Sequence, residues 1–220
     1  TTVSGESVTG IYIGSPDNRF YNTETNASNA LILITNAYNN TFIGLRFNAT
    51  TSTATGIRIS GVNVKDNLIK DFKGWGKDFG IQLDSNASNN LLLDGEVDSG
   101  SDADDYSLYL LDSGGNRVNT LRNVTLIRNI TTFSGSADYI VDKQWYLDVF
   151  ANYSNATNAV NANVTALQVN ASFSFSALTA TNGFIVQQNL TEYRENATTK
   201  TYFTNYTVNV SQTGFVTLQR

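Results

Sequence analysis

Two sets of residues in this 220-residue chain have the types and spacing to do chemistry. The first is Asp94-Gly-Glu-Val-Asp-Ser-Gly-Ser-Asp-Ala-Asp-Asp105, six carboxylates in twelve residues. Hard cations such as Ca²⁺ take about six to eight oxygen ligands. Read as a loop, Asp94, Glu96, Asp98, Asp102, Asp104 and Asp105 are therefore candidate calcium ligands. The spacing is not that of an EF-hand, and a solvated acidic loop is the alternative. The second set is the N-x-Ser/Thr acceptors for N-linked sugar: Asn26, Asn39, Asn48, Asn86, Asn123, Asn129, Asn152, Asn155, Asn163, Asn170, Asn189, Asn196, Asn205 and Asn209. They are 14 of 28 Asn, where the Ser and Thr content would give roughly six by chance. After residue 150, 8 of 11 Asn are in such sequons. Glycans hydrate a surface and block strand edges. Here they stand in for charge, since only 15% of residues are charged, against about 25% in ordinary domains.

Composition removes several chemistries. There is no His, Cys or Met. The usual general base at neutral pH and the commonest transition-metal ligand are thus missing, as are disulfides and thiolate sites. A net charge of −5 disfavours nucleic acid, which needs clustered Lys and Arg. No apolar run approaches the ~20 residues that span a bilayer. Without a Met, the chain does not begin at an initiator; a removed signal segment or a missing N-terminal region is expected. Aliphatic strands with many Tyr, Phe, Asn, Thr and Ser suit an extracellular β protein.

The elements that must position these residues repeat between Gly10 and Leu121. Five triplets of small–apolar–x–apolar recur: Gly10-Ile11-Tyr12-Ile13, Ala30-Leu31-Ile32-Leu33, Gly56-Ile57-Arg58-Ile59, Gly80-Ile81-Gln82-Leu83 and Ser107-Leu108-Tyr109-Leu110. Each is followed by an Asn with an apolar residue two positions on: Asn18…Phe20, Asn40…Phe42, Asn67…Ile69, Asn90…Leu92 and Asn116…Val118. The Asn are 22, 27, 23 and 26 residues apart. A period in this range with alternation inside each copy signals a solenoid of short strands. Stacking aligns Ile11, Leu31, Ile57, Ile81 and Leu108 in one inward row, and Phe20, Phe42, Ile69, Leu92 and Val118 in another. Asn18, Asn40, Asn67, Asn90 and Asn116 then form a hydrogen-bonded ladder at one corner, or serve as ordinary turn residues.

The triplets and Asn-x-apolar corners resemble the right-handed parallel β-helix of secreted carbohydrate-binding and NosD-like proteins of bacteria and archaea. The resemblance covers about half the chain and implies fold rather than function, because lyases, hydrolases, adhesins and scaffolds share it. Enzymes of that fold use paired carboxylates or Ca²⁺ with a base. Asp104-Asp105 is the nearest pair here, but the His of the polygalacturonase-like pattern is absent, as are the copper ligands of NosD-like handling. No catalytic residue and no enzyme activity are expected.

Past about Ile140 the repeat stops. Val141–Phe150, Ala159–Val169, Ala171–Leu178, Gly183–Gln188, Thr201–Val210 and Gly214–Leu218 read as short strands of a β-sandwich. The runs Gln144-Trp-Tyr-Leu-Asp-Val149, Ala162-Asn-Val-Thr165, Thr181-Asn-Gly183 and Leu190-Thr-Glu-Tyr193 resemble immunoglobulin-like modules that follow β-helices in archaeal and bacterial surface proteins. The expected organisation is all-β: a right-handed parallel β-helix of about five rungs over 1–139, then an immunoglobulin-like β-sandwich over 140–220, docked on the last rung. Trp145 is expected in its core. Trp75, in an expected loop Lys73–Asp78, either folds onto a neighbouring rung or stacks on a sugar. The short polar segment Thr1–Thr9 cannot cap the coil, so the first rung should show its apolar interior to water.

These features point to a structural subunit of a heavily N-glycosylated filament or surface layer, outside the cell and archaeal in leading origin. Its partners would be its own N-linked glycans and copies of itself, joined head to tail through Thr1–Ile13 and Gly214–Arg220. A polysaccharide-binding or adhesive module of a larger surface protein is the alternative.

Overall fold

The computed structural model describes residues 2–4, 9–51, 53–84, 86–111, 117–128, 132–134, 139–213 and 218–219. Every regular element among them is a strand. A short strand β1 (Thr2–Ser4) precedes five turns of a parallel coil. The first three turns have three strands each: β2 (Thr9–Ile13), β3 (Arg19–Tyr21) and β4 (Glu24–Asn26); β5 (Asn29–Leu33), β6 (Thr41–Ile43) and β7 (Arg46–Ala49); β8 (Thr55–Ile59), β9 (Leu68–Lys70) and β10 (Lys73–Gly76). In the last two, the second and third strands fuse: β11 (Phe79–Asp84) with β12 (Leu91–Ser99), and β13 (Tyr106–Leu111) with β14 (Arg117–Leu126). β15 (Thr132–Ser134) adds to the sheet β2-β5-β8-β11-β13, and β1-β4-β7-β10-β12-β14 forms another face.

The triplets stack as their spacing requires. Ile11, Leu31, Ile57, Ile81 and Leu108 lie in register across five strands. Their side chains are almost wholly buried, each worth about 1.5–3 kcal/mol in transfer free energy. The small first residue of each triplet has a steric cause. A Cβ on Gly56 would come within 2.2 Å of the Phe47 ring and 2.5 Å of the Gly80 carbonyl oxygen. Corners are turned by left-handed residues in columns, Asp17, Asn39, Asp66 and Asn89 in one, and Asn22, Gly44, Asp71, Asp94 and Asn123 in another. Asn, Asp and Gly tolerate that region best.

The Asn ladder is formed, with one correction. The Oδ1 of Asn40 accepts the backbone N–H of Asn18 (2.8 Å) and its Nδ2 (2.9 Å). Asn67 Oδ1 accepts the same two groups of Asn40, both at 2.9 Å, and Asn90 Oδ1 those of Asn67 at 3.1 and 2.8 Å. The next member is Asn119, whose Oδ1 takes the N–H and Nδ2 of Asn90 at 3.0 and 2.9 Å. Asn116, the residue expected there, lies outside the described residues. Leu121 correspondingly replaces Val118 in the inward row, opposite Leu92. The second Nδ2 hydrogens of Asn67, Asn90 and Asn119 bond the carbonyls of Ala37, Val64 and Ala87 one turn back.

The front of the coil also departs from expectation. Ile11 and Ile13 expose only 9% of their surface, so the first rung does not present an open apolar interior. What it offers is strand edge: among the described residues β2 pairs only β5, and β3 only β6. The described parts of both expected connectors are paired within the chain, β1 with β4, β2 with β5, and Leu218–Gln219 with the strand Thr207–Ser211.

The chain divides into two compact units, Thr1–Asp142 with Glu195–Thr199, and Lys143–Arg194 with Lys200–Arg220. The division falls within β16 (Tyr139–Leu147). The second unit holds β17 (Asn163–Leu167), β18 (Phe173–Leu178), most of β19 (Gln188–Glu195), β20 (Lys200–Tyr202), β21 (Thr207–Ser211) and β22 (Leu218–Gln219). β18-β17-β21-β22 is an antiparallel sheet. A small cluster of Ala151, Ala159 and Ala162 packs with Tyr153 and Val210. The expected strand Gly183–Gln188 reduces to an isolated antiparallel bridge between Phe184 and Phe150; a continuous strand begins at Gln188 and runs through the polar Leu190-Thr-Glu-Tyr-Arg-Glu195. Trp145 is not core either. It is 36% exposed, its Nε1 donates to Glu192 Oε2, and the Lys143 ammonium sits 4.4 Å from its ring centre.

The ladder yields a graded prediction. Asn67→Ala removes four bonds and orphans the buried N–H of Asn40, costing about 2–5 kcal/mol. Asn18→Ala, at the half-exposed end, costs about 1 kcal/mol. Urea unfolding of the two variants checks the ratio.

Candidate functional site

A shallow groove of about 530 Å³ runs along the face built by β4, β7, β10 and β12. Alternation fixes its lining. Thr25, Phe47 and Val97 point inward and are buried, so their neighbours on either side point out. One outward row is Glu24, Arg46, Lys73 and Glu96, in register over four rungs. The other is Asn26, Asn48, Trp75 and Asp98. Rungs lie about 4.8 Å apart, so each row is a ladder of side chains at that pitch. Trp75 is on a strand, β10, rather than in a loop. It is half-buried, and its Nε1 donates to the Ser99 carbonyl on the adjacent rung at 2.8 Å.

The acidic stretch does not close around a point. Asp94, Glu96 and Asp98 lie on β12, within the sheet. Each meets its own cation: Asp94 with Lys70 at 4.0 Å, Glu96 with Lys73 at 2.7 Å, and Asp98 with Arg128 at 3.3 Å. Asp102 and Asp105 instead share the ammonium of Lys77, at 2.6 and 3.1 Å, which raises the pKa of that lysine further. Asp104 is exposed. Burial, then the charge of Asp105, pushes the carboxyl of neighbouring Asp78 up. Among the described residues no three acidic side chains converge on a position that would hold a metal ion. The positive charge that a cation would bring to Asp102 and Asp105 is supplied by Lys77.

A polar network on the sheet of β8 and β11 escaped the sequence reading. Asp84, 1% exposed, pairs with Arg58 at 2.8 Å and accepts from Gln82 Nε2 at 2.8 Å. Thr55 Oγ1 donates to Gln82 Oε1 at 3.2 Å. Arg58, Gln82 and Asp84 alternate with the apolar positions of β8 and β11, and Thr55 precedes the first of them, so nothing in the pattern marked them.

The sequons divide cleanly from the ladder. Asn40, Asn67, Asn90 and Asn119 are buried, and none is in a sequon. Of the sequon Asn, Asn26, Asn39, Asn48, Asn123, Asn152, Asn155, Asn170, Asn189 and Asn205 are exposed, and Asn86, Asn163, Asn196 and Asn209 half-buried; Asn129 lies outside the described residues. At Asn155, Asn170 and Asn196 the side-chain oxygen accepts backbone N–H groups two residues on. These turns use Oδ1, so Nδ2, the atom that carries an N-linked sugar, plays no part in them. Asn39 and Asn123 differ, since their Nδ2 atoms donate to Asp17 and Asp94. No family model, curated protein or solved structure matches this chain significantly.

One ionisable group outside the groove is perturbed enough to read in solution. Lys143 is 5% exposed and its Nζ has no hydrogen-bond partner. Burial lowers its pKa to about 8, against an opposing pull from Glu192. Between that value and the unfolded one, the unfolded chain binds the extra proton, so stability rises with pH. From pH ~8 to ~10 the gain from this group is at most about 2–3 kcal/mol. Lys143→Met should flatten that rise and increase the thermal midpoint at pH 7, as followed by circular dichroism.

Proposed function

We propose that this chain is a non-catalytic structural subunit of an N-glycosylated extracellular filament or surface layer, an archaeal or bacterial surface protein of NosD-like β-helix and immunoglobulin-like type. The observation that carries this reading is the division of Asn into two populations. Buried Asn hold rungs together, and every described sequon Asn keeps its side chain out of the core. A protein coated on its outward positions presents sugar to its surroundings and uses strand edges for contact. The β2 and β3 edges, each paired on one side among the described residues, are the surfaces through which copies would join head to tail. Because Ile11 and Ile13 are covered, joining proceeds through backbone pairing rather than by plugging an apolar hole.

A second reading, a polysaccharide-binding or adhesive module, draws support from the groove with Trp75 on its wall. The same groove weighs against it. Asn26 and Asn48, both sequons, sit in register on adjacent rungs of its outward row, and sugar on either would fill the space an external polysaccharide needs.

Negative-stain electron microscopy of protein from its source separates the two. The subunit reading expects regular linear or sheet-like assemblies. Dispersed monomers with saturable binding on a glycan array, lost in Trp75→Ala, would instead establish the module.

A further inference from the structure

The second unit contains a surface that should not stay free in water. From Val149 to Thr191, 43 residues, there is no charged side chain. Within that span β18, Phe173-Ser-Phe-Ser-Ala-Leu178, is the edge strand of the sheet β18-β17-β21-β22. Its terminal residues are large, apolar and open, with Phe173 65% and Leu178 62% exposed. An apolar edge with unpaired backbone groups is a template for another strand, and proteins ordinarily blunt it with charge, Pro or a bulge. β18 has no charge and no Pro. Its one irregularity is a single bulge: Ala166 pairs with Phe175 and Leu167 with Phe173, so Ser174 of β18 is the extra residue, and Phe173 and Leu178 on either side of it stay open.

Two sequons flank the two exposed side chains. Asn163 on β17 pairs directly with Leu178, and its Oδ1 accepts from Ser176 Oγ at 2.6 Å. It therefore lies on the outward face, opposite the buried Val164 and Ala166. Asn170 stands at the tip of the β17–β18 turn, three residues before Phe173. That turn is held by Gln168 N–H to Ser172 O and Ala171 N–H to Gln168 O, both 2.8 Å. Asn170 Oδ1 accepts the Ser172 N–H at 2.9 Å, and Asn170 is exposed.

We propose that N-linked glycans at Asn163 and Asn170 are the gatekeepers of the β18 edge, covering Leu178 and Phe173 and barring a second copy of this chain from pairing there. This rests on the glycosylated-surface reading above and assigns two of its sugars a task. In the modification, Nδ2 displaces the polyprenyl-phosphate leaving group from the anomeric carbon of a lipid-linked oligosaccharide. The C–N bond forms as the C–O bond breaks, and Nδ2 loses one proton. The sugars thereby do for β18 what Lys or Glu does for other edges, and they direct assembly to the edges of the coil.

The test uses the full chain produced in its source or in a related glycosylating host. Thr165→Ala with Ser172→Ala removes both acceptor sequences and keeps both Asn side chains. Adding Ser176→Lys to that pair places a charge at an exposed position of the edge, and circular dichroism verifies that each protein is folded. Glycopeptide mass spectrometry should find sugar at Asn163 and Asn170 in the parent. Light scattering should show the double variant forming concentration-dependent multimers at least tenfold more than the parent, and the Lys-bearing triple variant returning to parental dispersion. Equal dispersion of modified parent and double variant overturns the gatekeeper role while leaving glycosylation intact. Bare Asn163 and Asn170 overturn it as well; occupancy of the other twelve sequons then decides separately whether the glycosylated-surface reading stands.

Discussion

The backbone of the coil is parallel strands, but its register depends on one repeated contact: an Asn side-chain oxygen that receives two hydrogens from the Asn one turn earlier. Each interior member satisfies a backbone N–H that the corner would otherwise bury unpaired, and leaving such a group unpaired costs about 1–3 kcal/mol. The contact also explains why the period tolerates change. Ladder members are 22, 27, 23 and 29 residues apart, and extra residues leave through loops while the Asn stays in line. A one-residue slip would reverse every strand's inward and outward faces. The ladder, with the small residues opposite Phe47, therefore decides which side chains meet solvent.

From that constraint follows the surface. Once Thr25, Phe47 and Val97 are inward, Glu24, Arg46, Lys73 and Glu96 must form an outward row, with Asn26, Asn48, Trp75 and Asp98 as its companion. Where these charges pair they do so from rung to rung, Lys73 with Glu96 and Asp98 with Arg128, instead of converging. A parallel coil spreads sequence neighbours over different rows and gathers residues roughly a turn apart. Five of the six carboxylates close in sequence are thus distributed among Lys70, Lys73, Lys77 and Arg128, and Asp104 faces solvent.

Much of the coil was legible in the chain itself. Small–apolar–x–apolar triplets mark the strands because a neighbouring carbonyl and an inward side chain, Thr25 at Gly10, Phe47 at Gly56 and Val97 at Gly80, crowd the first residue. The fifth ladder position was misread for a simple reason. Asn116-Arg-Val118 and Asn119-Thr-Leu121 both fit Asn-x-apolar, and only hydrogen bonding to Asn90 distinguishes them. The acidic strand was hidden because Val97 is the only apolar residue between Asp94 and Ser99, too sparse a signal for alternation. Trp145 was misplaced because a Trp amid apolar residues reads as core. Here Glu192 and Lys143 satisfy it at the surface. The groove was out of reach of the sequence, since it is made by register among four strands that are remote in the chain.

The ladder can be read directly by hydrogen exchange. The backbone amides of Asn40, Asn67 and Asn90 follow left-handed corner residues, where an ordinary turn amide exchanges within seconds to minutes. Measured by residue-resolved hydrogen–deuterium exchange, these three should be as protected as the strand amides of Leu31 and Ile57, opening only with the coil as a whole. Exchange of all three at turn-like rates, beside protected strands, would contradict the ladder and with it the division of Asn on which this account stands.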